Sequence, residues 1–503
     1  MSRHAAAELL PSGVDPYLRP ATSRRDLWTM WRQSVTRNRE PRRQSVEVLA
    51  DHDESARPRQ LARERTRYDG RALLPMRLPA HRATSAVLQA AYPFMSAPGL
   101  GSEGVYIGQD CCTRSSFVFD PFVLYRRGVL SNPNVLLMGV LGAGKSTLAK
   151  TLALRSAAFG RRIYVPGDPK GEWSAVAEAT GGAAVHLGRG LAARLNPLDT
   201  GPRPSHLSEQ EWAQEMEGRR RELLAALAEV GLGRRLLPVE RTALDLALSR
   251  LSRPEASASR RPVPTLGHLV DALTAPDDAS AASVGMTVGD LTAESRPLAL
   301  ELRRLVYGDL AGMFDGPTTA AFDFGAPMVV LDLSRIQGSD DLLALLMTCA
   351  SAWLESAIAD PAGGQRYVVY DEAWRLMRQV PLVRRMQANW KLSRSYGVAN
   401  LVIMHRLSDL AAVGDEGSEA VALARGLLAD AATRIVYRQE YDQMPTTAAL
   451  LGLSDVEAAA VPALVKGRGL WKVARHSFLV HNVISTEESV LTDTDARMVE
   501  PDE

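Results

Sequence analysis

The residues from Asn134 to Lys150, NVLLMGVLGAGKSTLAK, constrain the fold more than any other stretch of the sequence. They contain the pattern G-x-x-x-x-G-K-[S/T], in which glycines let backbone N–H groups turn towards phosphate oxygens. A short apolar run precedes the pattern and leucines at helical spacing follow it. The sequence therefore predicts a buried strand, a phosphate-binding loop and a helix whose N-terminus faces the bound anion. This order is typical of a parallel α/β sheet.

The residue types within this loop, the P-loop, predict how it holds a nucleotide. Lys145 is expected to reach the β- and γ-phosphates, and the Ser146 hydroxyl is expected to bind Mg²⁺. The predicted cofactors are therefore ATP and Mg²⁺. The predicted nucleotide-binding residues of the loop are Gly139, Gly142, Ala143, Gly144, Lys145, Ser146 and Thr147.

A second motif, RYVVYDEAW, places two carboxylates directly after an apolar run. Asp371 is predicted to hold Mg²⁺ through water, and Glu372 to polarise the attacking water as general base. An ordinary strand end or helix cap would also produce such a pair, but the P-loop upstream favours catalysis. We place Asp371 on a strand that neighbours the P-loop strand. A helical insertion accounts for the long separation of the two motifs.

Several cations near another predicted strand, LVIMHRL, are candidates for contact with the γ-phosphate. His405 and Arg406 end this strand, where a polar side chain is able to sense hydrolysis; the alternative is a pair that faces solvent. Transition-state charge also requires a cation from outside the loop, and Arg394 is our preferred arginine finger towards a neighbouring subunit's ATP. The alternative is a solvated basic face. The full set of candidates for this finger is Arg384, Arg385, Lys391 and Arg394.

The segment PGDPKGEW carries Asp168, Lys170 and Glu172 at the end of a strand that we place next to the P-loop strand. Ligand-binding groups gather at the carboxyl ends of parallel strands. Asp168 or Glu172 is therefore a candidate for positioning the metal or the water, and a plain Asp-Pro turn is an equal alternative.

Composition narrows the class of protein. Lys and Arg number 59 and Asp and Glu 58, so the near-neutral balance indicates no nucleic-acid partner, although it is compatible with a local basic channel. Cys111, Cys112 and Cys349 form neither a disulfide framework nor zinc spacing, which favours a reducing cytoplasm. The longest apolar stretch, 342–359, contains Glu355 and predicts a buried helix. We expect a cytoplasmic protein that reaches the inner face of a membrane through partners.

Changes of composition and hydrophobic periodicity along the chain suggest five regions. A basic arm contains a possible amphipathic helix at 24–44, and a helical insertion interrupts an α/β core that begins with a β-hairpin. The regions are a basic N-terminal arm at 1–75, the β region and first half of the P-loop core at 80–202, the insertion at 203–310, the second half of the core at 311–485 and an acidic tail at 486–503.

An ordered set of motifs across residues 80–480 resembles the ATPase domain of type IV secretion and conjugal-transfer ATPases, in the FtsK/HerA class of ring-forming motors. The resemblance implies a RecA-like core with a helical insertion, Mg-ATP hydrolysis and a homo-hexamer at the inner membrane face. The motifs are FVFDPFVLYRRGVLSNPNVLLMGVLGAGKST, DPKGEW, RLNPLD, GMFDGPT, VVYDEAWRLM, RSYGVANLVIMHRLSDL and LLGLSDVEAAAVPALVKGRGLW.

The sequence departs from this family in two places. The family usually ends its sensor strand with Thr-Gln or a similar Gln, whereas His405 and Arg406 stand here, and Arg406 is then a candidate cation for the same subunit's ATP. The larger secretion ATPases also carry a long N-terminal domain that docks on the membrane complex, and about 80 to 100 residues stand in its place.

Three functions are compatible with these features. The first is an ATPase motor that energises a secretion or conjugation apparatus together with membrane-bound channel proteins. The second is a DNA translocase or coupling motor of the same class, which the absence of an N-terminal membrane anchor and of obvious basic pore loops disfavours. The third is an ATP-gated scaffold without motor activity, for which the His405-Arg406 departure is the main support.

Overall fold

The computed structural model describes residues 99–493 with short internal gaps, and almost all of them belong to one compact unit, Ser102–Glu503. The basic arm at 1–75, with its possible helix at 24–44, and residues 494–503 of the acidic tail lie outside the described residues. The internal gaps are 189, 200–202, 204–206, 253–262, 309, 320–324, 337–339, 359–362, 374–376, 378–379 and 407–418.

One eleven-stranded sheet runs through this unit, in the order β2-β1-β11-β10-β9-β3-β8-β7-β4-β6-β5. The strands are β1 (Val105–Asp110), β2 (Ser116–Phe119), β3 (Val135–Met138), β4 (Arg162–Asp168), β5 (Ala183–His186), β6 (Met328–Asp332), β7 (Arg366–Tyr370), β8 (Val398–Met404), β9 (Thr433–Val436), β10 (Arg468–Val473) and β11 (His476–Asn482).

The half of the sheet from β9 to β5 is parallel throughout. Strands β3, β6, β7 and β8 are buried at every position, as expected for parallel strands that helices cover on both faces. Their carboxyl ends therefore lie along one edge of the sheet. The polar residues that directly follow these strands therefore lie at this edge.

The order of the parallel strands corrects two predictions. Strand β8 lies between β3 and β7, so Asp371 does not follow a neighbour of the P-loop strand. Strand β4 lies one position further out, beyond β7, so the PGDPKGEW segment is not adjacent to the P-loop strand either. The physical reason is that a crossover helix returns the chain to the same edge of the sheet but does not fix how many positions it skips.

The other half of the sheet is antiparallel. The predicted hairpin forms from β1 and β2, and it joins the core through β11, which pairs with both β1 and β10. The aromatic ring of Trp471 packs against Phe117 and Phe119, with centroids 5.1 and 5.2 Å away. This contact attaches the hairpin to β10.

The helices flank the sheet. They are α1 (Pro121–Arg126), α2 (Lys145–Ala158), α3 (Ser174–Ala179), α4 (Glu209–Leu232), α5 (Pro238–Ser252), α6 (Leu266–Thr274), α7 (Asp278–Ser283), α8 (Val288–Tyr307), α9 (Asp340–Ile358), α10 (Val380–Leu392), α11 (Glu419–Ala429), α12 (Met444–Leu451), α13 (Asp455–Ala460) and α14 (Thr486–Thr492). None of the helices within the described residues is both long and apolar enough to cross a membrane.

Helices α4 to α8 form the predicted helical insertion between β5 and β6. A capping box of Ser208 and Glu211 starts α4, so its first N–H groups are satisfied. At the base of the insertion, the outgoing and returning chains hydrogen-bond to each other: the N–H of Asn196 donates to the Thr318 hydroxyl at 3.0 Å, and that of Thr319 to the Arg194 carbonyl at 3.0 Å. The RLNPLD and GMFDGPT motifs thus lie side by side where the helical insertion joins the core.

Helix α14 shows that the end of the described chain packs on the core. The Arg155 guanidinium on α2 pairs with Glu488 on α14 at 2.6 Å and also donates to the Val483 carbonyl. Both side chains of the pair are largely buried. Residues 486–492, which the sequence assigned to the acidic tail, are therefore ordered against the P-loop helix.

Candidate functional site

The P-loop joins β3 to α2 at the carboxyl edge of the parallel strands. Gly142 and Gly144 have φ angles of +72° and +103°, in the left-handed region that favours glycine. The Lys145 side chain is only 4% exposed, and its Nζ donates to the carbonyl oxygens of Gly139 at 2.6 Å and Val140 at 2.9 Å. Ser146 lies half-buried in the first turn of α2. The loop therefore forms a ring around the lysine head group.

A buried tyrosine, which the sequence analysis did not single out, supports this loop. Tyr437 follows β9, and its N–H donates to the Met138 carbonyl at 2.7 Å. A Cβ on Gly139 would lie 2.5 Å from the Tyr437 Cβ, so only glycine fits there. On the other side, the N–H of Gly467 donates to the Ala143 carbonyl at 3.0 Å. The loop is thus held by chain segments far from it in sequence.

The predicted acid pair lies directly after β7. Trp173 donates its indole N–H to the Asp371 carboxylate at 3.0 Å, and the backbone N–H of Glu372 donates to the other Asp371 oxygen at 2.9 Å. Glu372 has a φ of +53°, which is uncommon for a residue with a side chain. Such backbone strain is concentrated at functional sites, where the surrounding structure enforces it.

The Glu372 carboxylate contacts two cationic or potentially cationic side chains. The Lys170 ammonium contacts Oε1, and the His405 Nε2 lies 3.0 and 3.1 Å from the two carboxylate oxygens. Burial alone would raise the pKa of Glu372, but the hydrogen bonds and charges of His405 and Lys170 outweigh it and hold this pKa far below its usual range. Glu372 is therefore ionised at neutral pH.

The turn from Asp168 to Trp173 positions Lys170. The Asp168 carboxylate accepts the backbone N–H groups of Lys170, Gly171 and Trp173, at 3.1, 2.9 and 2.8 Å. Burial raises the pKa of Asp168 to about 6 against the opposing effect of these hydrogen bonds. The Asp168 carboxylate thus closes its own turn, as the Asp-Pro turn alternative predicts.

Of the candidate cations, only some lie near this edge. Arg406 follows β8 at the carboxyl edge and pairs with Glu440 at 2.9 Å. Arg394 is exposed in the turn before β8, and this seven-residue strand spans about 23 Å, so Arg394 lies at the opposite edge from its own P-loop. Arg384 pairs with Glu419, and Lys391 is exposed in the last turn of α10.

The fold is similar to that of solved protein structures. A structure of VirB4 of Thermoanaerobacter pseudethanolicus matches with a TM-score of 0.62 and 21% identity, covering 78% of this chain and 99% of that chain. This likeness confirms the predicted RecA-like P-loop fold. The bacterial conjugative coupling protein TrwB matches with a TM-score of 0.48 and 14% identity over 76% of this chain and 90% of that chain. No protein-family model matches the sequence, and a search of curated proteins gives no match.

Proposed function

We propose that this protein is a Mg-dependent ATPase motor that energises a conjugative or type IV secretion apparatus. The observation that carries the proposal is the convergence of the P-loop, Asp371, and Glu372 with its two partners, at one edge of a sheet whose fold is similar to that of VirB4.

The residues of the site fit a magnesium nucleotide. The two left-handed glycines open the loop towards phosphate oxygens, and Lys145 already donates to carbonyl oxygens, which phosphate oxygens are able to replace. Ser146 and Asp371 would hold Mg²⁺, and the ion would neutralise charge that develops on the transferred phosphoryl group. Glu372 would orient the attacking water and take its proton.

The placement of Arg394 supports a reaction completed between subunits. A cation at the opposite edge of the sheet does not reach the P-loop of its own chain, but its side chain is exposed on the surface, where another subunit is able to contact it. We propose that Arg394 stabilises the transition state in trans, within a homo-hexamer, and that Arg406 contacts the nucleotide of its own chain. Membrane-bound channel proteins would recruit this ring to the inner face of the membrane.

The test is ATP turnover against protein concentration, with particle mass read by light scattering. We expect turnover to rise with assembly, Lys145→Ala and Glu372→Gln to abolish it, and Glu372→Gln to retain ATP binding. Turnover that stays at the Lys145→Ala level in every oligomeric state would indicate a non-motor scaffold.

Two further experiments test the role of Arg394 and the alternative of a DNA translocase. Mixing Arg394→Ala subunits with Glu372→Gln subunits should restore part of the turnover, and no recovery at any ratio would exclude Arg394 as the trans cation. Duplex DNA should leave the rate unchanged. A large stimulation that salt removes would favour a DNA translocase instead.

A further inference from the structure

Gln439 has a buried hydrogen-bond acceptor that the described part of the chain does not satisfy. The residue is only 1% exposed. Its amide Nε2 donates to the His405 carbonyl at 3.2 Å, whereas the amide oxygen Oε1 has no partner among the residues that the structure describes. Nearly all buried polar groups in proteins are hydrogen-bonded, and a catalytic role is one reason for an exception. What this acceptor does depends on where Gln439 lies.

The side chain of Gln439 crosses the end of the P-loop strand. Strands β9 and β8 flank β3, and Val436, Met138 and Met404 lie side by side in these three strands. Gln439 follows β9, and its side chain reaches the carbonyl of His405, the residue directly after β8. Since neighbouring strands are about 4.8 Å apart, this side chain spans the carboxyl end of β3. It therefore lies where the P-loop begins.

The contacts on either side of Gln439 fix this placement. The N–H of Val140, in the P-loop, donates to the Arg438 carbonyl at 2.9 Å, so the backbone before Gln439 is held against the loop. On the other side, the His405 carbonyl accepts from Gln439, and the His405 ring Nε2 lies 3.0 and 3.1 Å from the two Glu372 oxygens. His405 thus contacts both Gln439 and the proposed general base.

The orientation of the amide determines which group Oε1 is able to bind. Nε2 donates to a carbonyl, so a flipped amide would place two acceptors, Oε1 and the His405 oxygen, against each other. Oε1 therefore stays an acceptor and requires a donor. Phosphate oxygens are acceptors too, and Lys145 and the backbone N–H groups of the loop are the donors that bind them. The attacking water is the donor that remains.

We propose that Gln439 is a further catalytic residue, whose Oε1 accepts a hydrogen bond from the attacking water and orients it towards the γ-phosphate. The inference rests on the proposed ATPase function. The water oxygen bonds to the γ-phosphorus as the bond from this phosphorus to the bridging oxygen of ADP breaks. One water proton passes to Glu372, and the other, which Gln439 holds, stays on the phosphate product.

The first test is the steady-state turnover of Gln439→Met, which keeps the length of the side chain and removes the amide. A misplaced reacting atom costs about 10²-fold in rate, so we expect kcat to fall at least about tenfold. The affinity for a non-hydrolysable ATP analogue, measured by calorimetry, should stay unchanged, because Gln439 does not bind the phosphates. A kcat within about threefold of the original protein overturns the proposal.

The second test separates orientation of the water from a structural link between the ends of β8 and β9. ADP with aluminium fluoride and Mg²⁺ mimics the transferred phosphoryl group with the attacking water in place. Gln439→Met should therefore bind this mimic at least about tenfold more weakly, while it binds the ground-state analogue normally. Loss of the structural link, or of support for Lys145, would weaken binding of both ligands. Equal weakening therefore overturns the proposal.

Thr433→Val is the matched control. Thr433 is also buried in β9, and its Oγ1 is another side-chain oxygen without a partner in the described part of the chain. It lies at the amino end of the strand, whereas the P-loop is at the carboxyl end. The substitution removes a buried unpaired oxygen away from the site, so kcat and both affinities should not change. A kcat loss equal to that of Gln439→Met would overturn the proposal.

The two proposals fail in different ways. If the original protein remains at the Lys145→Ala background, the proposed ATPase function fails, and Gln439 has no water to orient. If the original protein turns over ATP and binds the aluminium fluoride mimic, and Gln439→Met does both equally well, only the role of Gln439 fails.

Discussion

The contact between the P-loop and Tyr437 leads to a prediction that separates packing from backbone conformation. Alanine at Gly139 would place its Cβ 2.5 Å from the Tyr437 Cβ, whereas carbon atoms pack at about 3.5 to 4.0 Å. The loop must therefore move by about 1 Å, and a displacement of this size in an active site is able to cost about 10²-fold in rate. We expect Gly139→Ala to lower kcat/KM for ATP by about two orders of magnitude.

Gly142→Ala is the matched substitution in the same loop. Its φ is +72°, but no protein atom lies within 4 Å of the added Cβ, so within the protein the penalty is backbone strain of about 1 to 2 kcal/mol. This strain is present with and without nucleotide. Gly142→Ala should therefore lower the free energy of unfolding and change kcat/KM only slightly.

The assay is steady-state ATP hydrolysis across ATP concentrations, with urea unfolding of the same preparations. The expected pattern is a large kinetic defect in Gly139→Ala and a small one in Gly142→Ala. A Gly139→Ala protein within about threefold of the original kcat/KM would refute the argument that Tyr437 sets the position of the loop. A larger kinetic defect in Gly142→Ala would refute it as well.

Two further predictions concern buried hydrogen bonds. Trp173→Phe removes the N–H that orients Asp371, and since residues behind a metal ligand contribute about 10- to 100-fold to metal affinity, the Mg²⁺ concentration for half-maximal turnover should rise by such a factor. An unchanged Mg²⁺ dependence would exclude Asp371 as the metal-holding residue. Arg155→Met should lower the free energy of unfolding by about 2 kcal/mol, measured by urea titration, because it removes two charge-assisted hydrogen bonds from the largely buried Glu488 carboxylate, which keeps the Ser485 N–H as a partner. Arg126→Met, whose pair with Glu103 is 3.7 Å long and exposed, should change it by less than about 1 kcal/mol.

The parts of the site that sequence predicts are those whose chemistry is local. The P-loop glycines, Lys145 and Ser146 are consecutive, and Asp371 and Glu372 directly end an apolar run. Such patterns fix residue types at neighbouring positions, and the strands that precede them are continuous enough in hydrophobicity to be recognised. The core strands and the insertion were predictable for the same reason.

The contacts that hold the site were not predictable, because they join segments distant in sequence. Tyr437 packs on Gly139, and Trp173 donates to Asp371. The order of strands also depends on such pairings. Strand β5, with three half-buried residues and one exposed, and the hairpin of β10 and β11 gave no signal that we recognised.

The positions of the two arginines give the departure from the family pattern a physical meaning. Arg406 replaces an expected glutamine at the carboxyl edge, next to the P-loop strand, while Arg394 lies a full strand length away at the other edge. Each chain therefore has Arg406 at the carboxyl ends of its parallel strands and Arg394 at their amino ends. Under our proposal, a ring would place Arg394 of one subunit against the nucleotide that a neighbour holds near Arg406. The substitution at the sensor position then adds a second cation from outside the P-loop, besides Lys145, and because only assembly supplies Arg394, turnover should still depend on the ring.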